Sequence, residues 1–235
     1  MENERPSNDI KEVAKEVIGW EDNRLFITLK YLTTRPGQII SGYSKGEKQK
    51  YLSPVAYYFG IESLKSFLVS VSGLSSFVLE TKIKDMRRNI QFVVSSNSTI
   101  LPDNAGNDSL SSFYAFFLGE IGQKIIALPI LLLLTWLFYK KYNKSIKENC
   151  WFAFYAAGHA ALLTLPLILL WYLTHDWRIY ALFGTIITIS YWSWASAQFY
   201  NFRIGRAFVL RILLQLSLVI LMTLTSFFIV FADLS

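Results

Sequence analysis

Five stretches of the chain, residues 54–74, 121–139, 151–174, 179–200 and 207–230, are apolar over the length a membrane demands of a helix. A helix rises about 1.5 Å per residue, so about 20 mostly apolar residues cross a hydrocarbon layer of about 30 Å. One large soluble helical core would bury such segments too. Buried helices of soluble proteins, however, seldom string together this many long runs. The sequence therefore predicts an all-α membrane protein, a five-helix transmembrane bundle preceded by amphipathic N-terminal helices.

Composition narrows the function classes further. Hydrophobic residues make up 53% of the chain and charged residues 17%, with the apolar ones gathered into blocks. The net charge of +6 could serve nucleic acid or a membrane face. The basic residues lie mainly beside the apolar runs and no nucleic-acid motif accompanies them. The charge is therefore read as the cytoplasmic bias of membrane proteins, and nucleic acid is not an expected partner. Cys150 is the only cysteine, so neither an intrachain disulfide nor a cysteine-based zinc site can form. Residues 1–19 lack the apolar core of a signal peptide, so the first spanning helix is expected to direct insertion.

In "NDIKEVAKEVIGW", Ile10, Val13, Ala14, Val17 and Ile18 share one helical face, and Lys11, Glu12, Lys15 and Glu16 lie largely on the other. A second helix is expected over 23–33, with Leu25, Leu29 and Leu32 along one side. Arg35-Pro36 ends it, because the residue before proline avoids the α region. Pro36 then opens a third short helix through Ile39 and Ile40. The "KGEKQKY" that follows offers Lys45, Lys48 and Lys50 to anionic headgroups and Tyr51 to the interface. Ser53 as cap and Pro54 at the first helical position start the next helix. Residues 1–53 are thus expected to form a basic region lying on the membrane, although a solvated loop would carry the same charges. Residues 54–235 form the five-helix domain, with an outside loop at about 75–120.

Charge also orients the bundle. Lys140, Lys141, Lys144 and Lys147 fill one connection, and Arg203 and Arg206 fill another. Placing both inside puts the N-terminus in the cytoplasm and the C-terminus outside, in a bacterial inner membrane. The "KIKDMRR" stretch, with Lys82, Lys84, Arg87 and Arg88, runs against this rule just after the first span. The outside loop contains a short strand-like run, and its Asn97-Ser98-Thr99 fits a glycosylation acceptor that a bacterial protein would not use. "SLSSFYAFFLGEIGQK" can extend the second span outward.

Arg35, Pro36, Gly37, Ile39, Ile40, Gly46, Lys48, Lys50, Tyr51, Leu52 and Pro54 form a pattern: Arg-Pro-Gly, an apolar pair, a basic glycine-containing stretch, then Tyr-Leu-x-Pro opening a helix. This pattern resembles a family of bacterial multi-pass membrane proteins classed only as a domain of unknown function. Many relatives carry a cysteine-rich, zinc-ribbon-like segment ahead of it. This chain has none there, so zinc binding does not carry over. The five-helix layout is also similar, in topology alone, to the Yip-type membrane proteins of trafficking pathways. Neither resemblance brings catalytic residues with it.

Candidate chemistry is confined to polar residues inside the apolar runs. Glu62 and Lys65 are three apart on one helical face and can pair. They lie about 12 and about 16 Å past Pro54, near mid-bilayer, where each isolated charge costs about 2.5–3.5 kcal/mol. His159 and Gln215 lie at a depth similar to that of Glu62, about 12 Å from the cytoplasmic boundary. These four could line an ion or substrate pathway. A structural ion pair and interhelical hydrogen bonds would use the same residues. Arg211 is expected to extend to the inner headgroups. Ala153, Ala157 and Ala161 permit close helix packing, and Pro129 and Pro166 can kink their helices.

No phosphate loop, metal-ligand spacing or nucleophile motif occurs, so no cofactor or metal and no enzymatic activity are expected. The leading reading is a non-enzymatic scaffold or partner subunit. Its partners would be membrane lipids and other membrane proteins or a second copy. The alternative is a small transporter or channel-like module built on Glu62, Lys65 and His159.

Overall fold

A computed structural model describes residues 23–74, 77, 120–142 and 144–232, of which 120–123 and 226–232 are described in their backbone alone. The expected amphipathic helix around 10–18, nearly all of the 75–120 excursion with its basic stretch and Asn97, and the C-terminal tail lie outside these residues.

The described residues are helical, and local signals set most of the helix ends. Helix α1, Arg24–Thr34, is capped by the Asn23 side chain, which accepts from the Leu25 N–H at 2.9 Å. Arg35 leaves the α region at φ −146°, and Pro36 opens α2, Pro36–Ser44. Gly46 takes the left-handed conformation, φ 106°, that turns the chain away from α2. Ser53 then caps α3, Pro54–Val71, accepting from Ala56 N–H at 3.2 Å. Helix α4, Glu120–Tyr139, contains Pro129 and runs into a short 3₁₀ turn, Lys140–Tyr142.

Helix α5, Ile146–Thr164, begins at a reciprocal capping box between Ser145 and Glu148. That box starts it ahead of the apolar run expected from residue 151. Pro166 divides it from α6, Pro166–Thr174, which ends at His175 in the left-handed region, φ 52°. Asp176 caps α7, Trp177–Tyr200, and left-handed Asn201, φ 55°, ends it. The last helix, α8, spans Ile204–Ala232.

Three described helical stretches are long and apolar enough to cross a membrane: Lys124–Tyr142, Ile146–Thr174 and Ile204–Thr225. The helices expected at 54–74 and 179–200 do form, as α3 and α7, but they are not among the three. Their polar content is the reason. Helix α3 carries Glu62 and Lys65, and α7 is rich in Ser, Thr, Tyr and Trp. Much of that polarity faces inward: Tyr191, Trp192, Ser193, Ser196 and Tyr200 are all buried.

Half of the Ile146–Thr174 stretch is buried, against 17% for each of the other two, which makes α5 the central post. Helices α1, α2, α3, α4 and α7 pack on it, and α8 packs on α4 and α7. Small residues set the spacing. Ala153, Ala156, Ala160 and Ala161 are buried, and a Cβ on Gly158 would stand 3.0 Å from the Cα of Tyr58 on α3.

Candidate functional site

The segment carrying the Arg-Pro-Gly pattern is packed into this core. Leu32, Ile39 and Ile40 are at most 1% exposed and share one apolar cluster with Tyr57, Phe152, Tyr155 and Trp192. Gly37 makes that docking possible: a Cβ there would lie 2.8 Å from the backbone carbon of Gln198 on α7. The irregular backbone between α2 and α3 is satisfied by side chains. The Thr28 hydroxyl accepts from Leu52 N–H at 2.9 Å, and the Tyr155 hydroxyl donates to the Leu52 carbonyl. At the end of α1, the Tyr191 hydroxyl donates to the Leu32 carbonyl at 3.0 Å, one of the acceptors a helix end leaves without an internal partner. Ser44 donates to Glu148 at 2.9 Å and ties α2 to the capping box of α5.

His159 sits where α1, α3, α5 and α7 meet, and it is fully buried. Tyr57 lies 2.7 Å from its Nδ1 and Thr33 lies 3.2 Å from its Nε2. The Thr33 hydroxyl already donates to the Leu29 carbonyl at 2.8 Å. Its oxygen is therefore left to accept from Nε2–H, while Nδ1 accepts from the Tyr57 hydroxyl. A neutral ring with that tautomer satisfies every group. The Tyr191 ring lies 4.9 Å from the imidazole.

The other expected site residues are held separately. Glu62 pairs across helices with Lys124 on α4, at 2.6 Å, and Lys124 also donates to Ser66 at 2.8 Å. Its ion-pair partner is therefore on a neighbouring helix and not the expected Lys65 one turn along; Lys65 is itself engaged. Gln215 accepts from Arg211 Nη2 at 2.7 Å. Glu62, His159 and Gln215 thus engage different partners.

Of the residues expected at headgroups, Lys45, Lys48 and Lys50 are exposed. Lys48 lies over Trp151, 5.9 Å from the ring centroid, and Lys50 over Tyr31 at 5.1 Å. Two of the expected contacts are buried instead. Tyr51 is 3% exposed, because docking of α2 carries it into the core, and burial pushes its phenol above the ordinary pKa. Arg211 is also 3% exposed, with its guanidinium 4.5 Å from the Trp192 ring. It does not reach the surface, because the face of α8 that carries it packs against α7.

Sequence reasoning missed Tyr57, Lys124, Asn149 and Tyr200. Asn149 is fully buried, donates to the Ser145 carbonyl at 2.9 Å and accepts from the Tyr200 hydroxyl. The lone Lys124 in an apolar run was a readable signal, since a buried cation calls for an acid at similar depth.

Among the described residues, no group of three or more His, Cys, Asp or Glu is placed to hold a metal. The arrangement is that of a helical protein with membrane-compatible helices and a buried polar centre. Residues 22–64 match the model of a family described as "Protein of unknown function (DUF3667)". The match runs from the cap of α1 through α2 and the basic turn into α3, and so includes the whole Arg-Pro-Gly to Tyr-Leu-x-Pro pattern. No curated protein and no solved structure matches the chain.

Proposed function

We propose that this chain is a multi-pass protein of a bacterial inner membrane, working without catalysis as a scaffold or partner subunit. All five long helical segments cross the bilayer in this reading, and residues 1–53 form the cytoplasmic side. The observation that carries it is the pairing of interior polar groups: Glu62 with Lys124, His159 with Tyr57 and Thr33, and Asn149 with Tyr200. Paired groups of this kind fix a shape. An outward apolar belt supports five crossings, since α3 and α7, like the more apolar helices, expose large side chains. Phe59 and Phe67 on α3, and Leu182 and Ile186 on α7, are at least 50% exposed. Lipids, other membrane proteins or a second copy of the chain would cover that belt.

The transporter reading keeps one observation in its favour. Lys124 and Glu62 are 29% and 14% exposed, so the pair is not sealed. A mutant cycle separates the two readings. Glu62→Gln and Lys124→Met should each lower stability by about 2 kcal/mol in detergent, less than a fully buried pair because of that exposure. The double variant should regain most of the loss and keep whatever partners co-purify with the parent. A double variant that melts like the parent but loses those partners would assign the pair to function.

Orientation has its own check, motivated by the lysine and arginine distribution. On a background lacking Cys150, cysteines at 104 and 235 should react with an impermeant reagent in intact cells. Cysteines at 144 and 203 should react only after the cells are opened. The reverse pattern would invert the topology.

A further inference from the structure

The buried cation Arg211 is short of acceptors. Its Nη2 reaches Gln215, but Nε and Nη1 have no hydrogen-bond partner among the described residues. The Trp192 ring lies against it, and Tyr139, beside Trp192 and Ser196, is near enough to feel its charge. Among the described residues, neither the Trp192 indole N–H nor the Tyr139 hydroxyl completes a hydrogen bond, and the Thr135 hydroxyl one turn before Tyr139 is likewise unpartnered. Thr135, Trp192 and Tyr139 are at most 1% exposed.

Among the described residues of the three helices around it, no carboxylate is at hand to neutralise the group. Helices α7 and α8 contain no Asp or Glu, and the single acid of α4, Glu120, is at its far end. A buried cation held by one neutral amide, with N–H and O–H groups unsatisfied beside it, is costly as it stands, and an anion would relieve it.

A basic face lies to one side of this buried cluster. The end of α4, the end of α7 and the start of α8 meet there. Arg211 lies about 10 Å along α8 from Ile204, within reach of that end. Lys140, Lys141, Arg203 and Arg206 are exposed around it. Phosphate esters are the abundant oxoanions at such a membrane face, and basic pockets between helices hold them. We propose that Arg211, Trp192, Tyr139 and Thr135 form an intramembrane site for a phosphate group, either a lipid headgroup phosphate drawn between α4, α7 and α8 or a free phosphate.

Thermal unfolding of the full-length chain, washed free of lipid in mild detergent, tests this with three probes. They are phosphatidylglycerol in mixed micelles, inorganic phosphate against chloride at equal ionic strength, and a diacylglycerol of the same chains. The melting temperature should rise with a phosphate-bearing probe and not with diacylglycerol. A response to phosphatidylglycerol alone identifies a lipid headgroup, and a response to inorganic phosphate as well identifies a soluble anion. Arg211→Met should abolish the response and melt above the lipid-free parent. Tyr139→Phe and Thr135→Val keep the charge and should raise the half-saturating phosphatidylglycerol about threefold to tenfold, the loss of one hydrogen bond. These two carry the test alone if Arg211→Met does not fold. Diacylglycerol stabilising as well as phosphatidylglycerol, with no effect of inorganic phosphate, would overturn the proposal. So would Tyr139→Phe and Thr135→Val variants that both respond like the parent. In either case buried water satisfies Arg211.

Discussion

Gly37→Leu is expected to leave little folded protein, and Gly37→Ala to lower stability by about 2 kcal/mol. Even a methyl at this position meets the Gln198 backbone, at 2.8 Å from its carbonyl carbon and 2.9 Å from its oxygen. Backbone at the end of a packed helix cannot swing aside as a flexible side chain would, so α2 must lift off α7. Lifting α2 uncovers Ile39 and Ile40, both at most 1% exposed, and frees Tyr51 from the core. By contrast, no atom lies within 4 Å of a Cβ built on Gly205, so Gly205→Ala serves as the neutral control. Thermal unfolding in detergent checks both. A Gly37→Ala variant as stable as the parent would mean that α2 does not dock as described.

His159→Leu is expected to cost about 3 kcal/mol. The substitution keeps the volume roughly but leaves the Tyr57 hydroxyl, in a residue only 1% exposed, without its acceptor. Tyr57→Phe alone should cost less, because the imidazole keeps its bond to Thr33. The double variant should recover part of the loss, since removing both partners is milder than orphaning one. Chemical denaturation of the four proteins would measure the coupling. A coupling near zero would show that solvent already reaches His159, and the polar centre would then be a wet cavity.

Much of the helical skeleton was legible from short-range rules. Asn23, Arg35-Pro36 and Ser53-Pro54 are start and stop signals that act within a turn, and each operates as its local chemistry requires. The start of α5 was misjudged for a local reason too. "SIKE" is a capping box, and it opens the helix at Ile146, ahead of the apolar run at 151–174. Partner choice was less legible. Glu62 has Lys65 on its own helical face, yet its ion pair is with Lys124, whose side chain reaches across from the first turns of α4. Tyr51 and Arg211 are amphipathic side chains suited to an interface or to an interior, and no nearby residue distinguishes the two.

The sequence by itself determined that this protein is helical, where most of its helices begin and end, and that it carries stretches apolar enough for a membrane. Those properties depend on hydrogen bonds, dihedral limits and hydropathy within a few residues of each other. Only the tertiary structure decided that the Arg-Pro-Gly segment is core and not surface, that Glu62 joins α3 to α4, and that His159 is bonded at both nitrogens. It also decided that Arg211 is buried with two of its nitrogens unpartnered. Each of these turns on which faces of distant helices meet. That choice is made by small residues such as Gly37 and Gly158, whose missing side chains let backbones approach across a hundred positions of sequence or more.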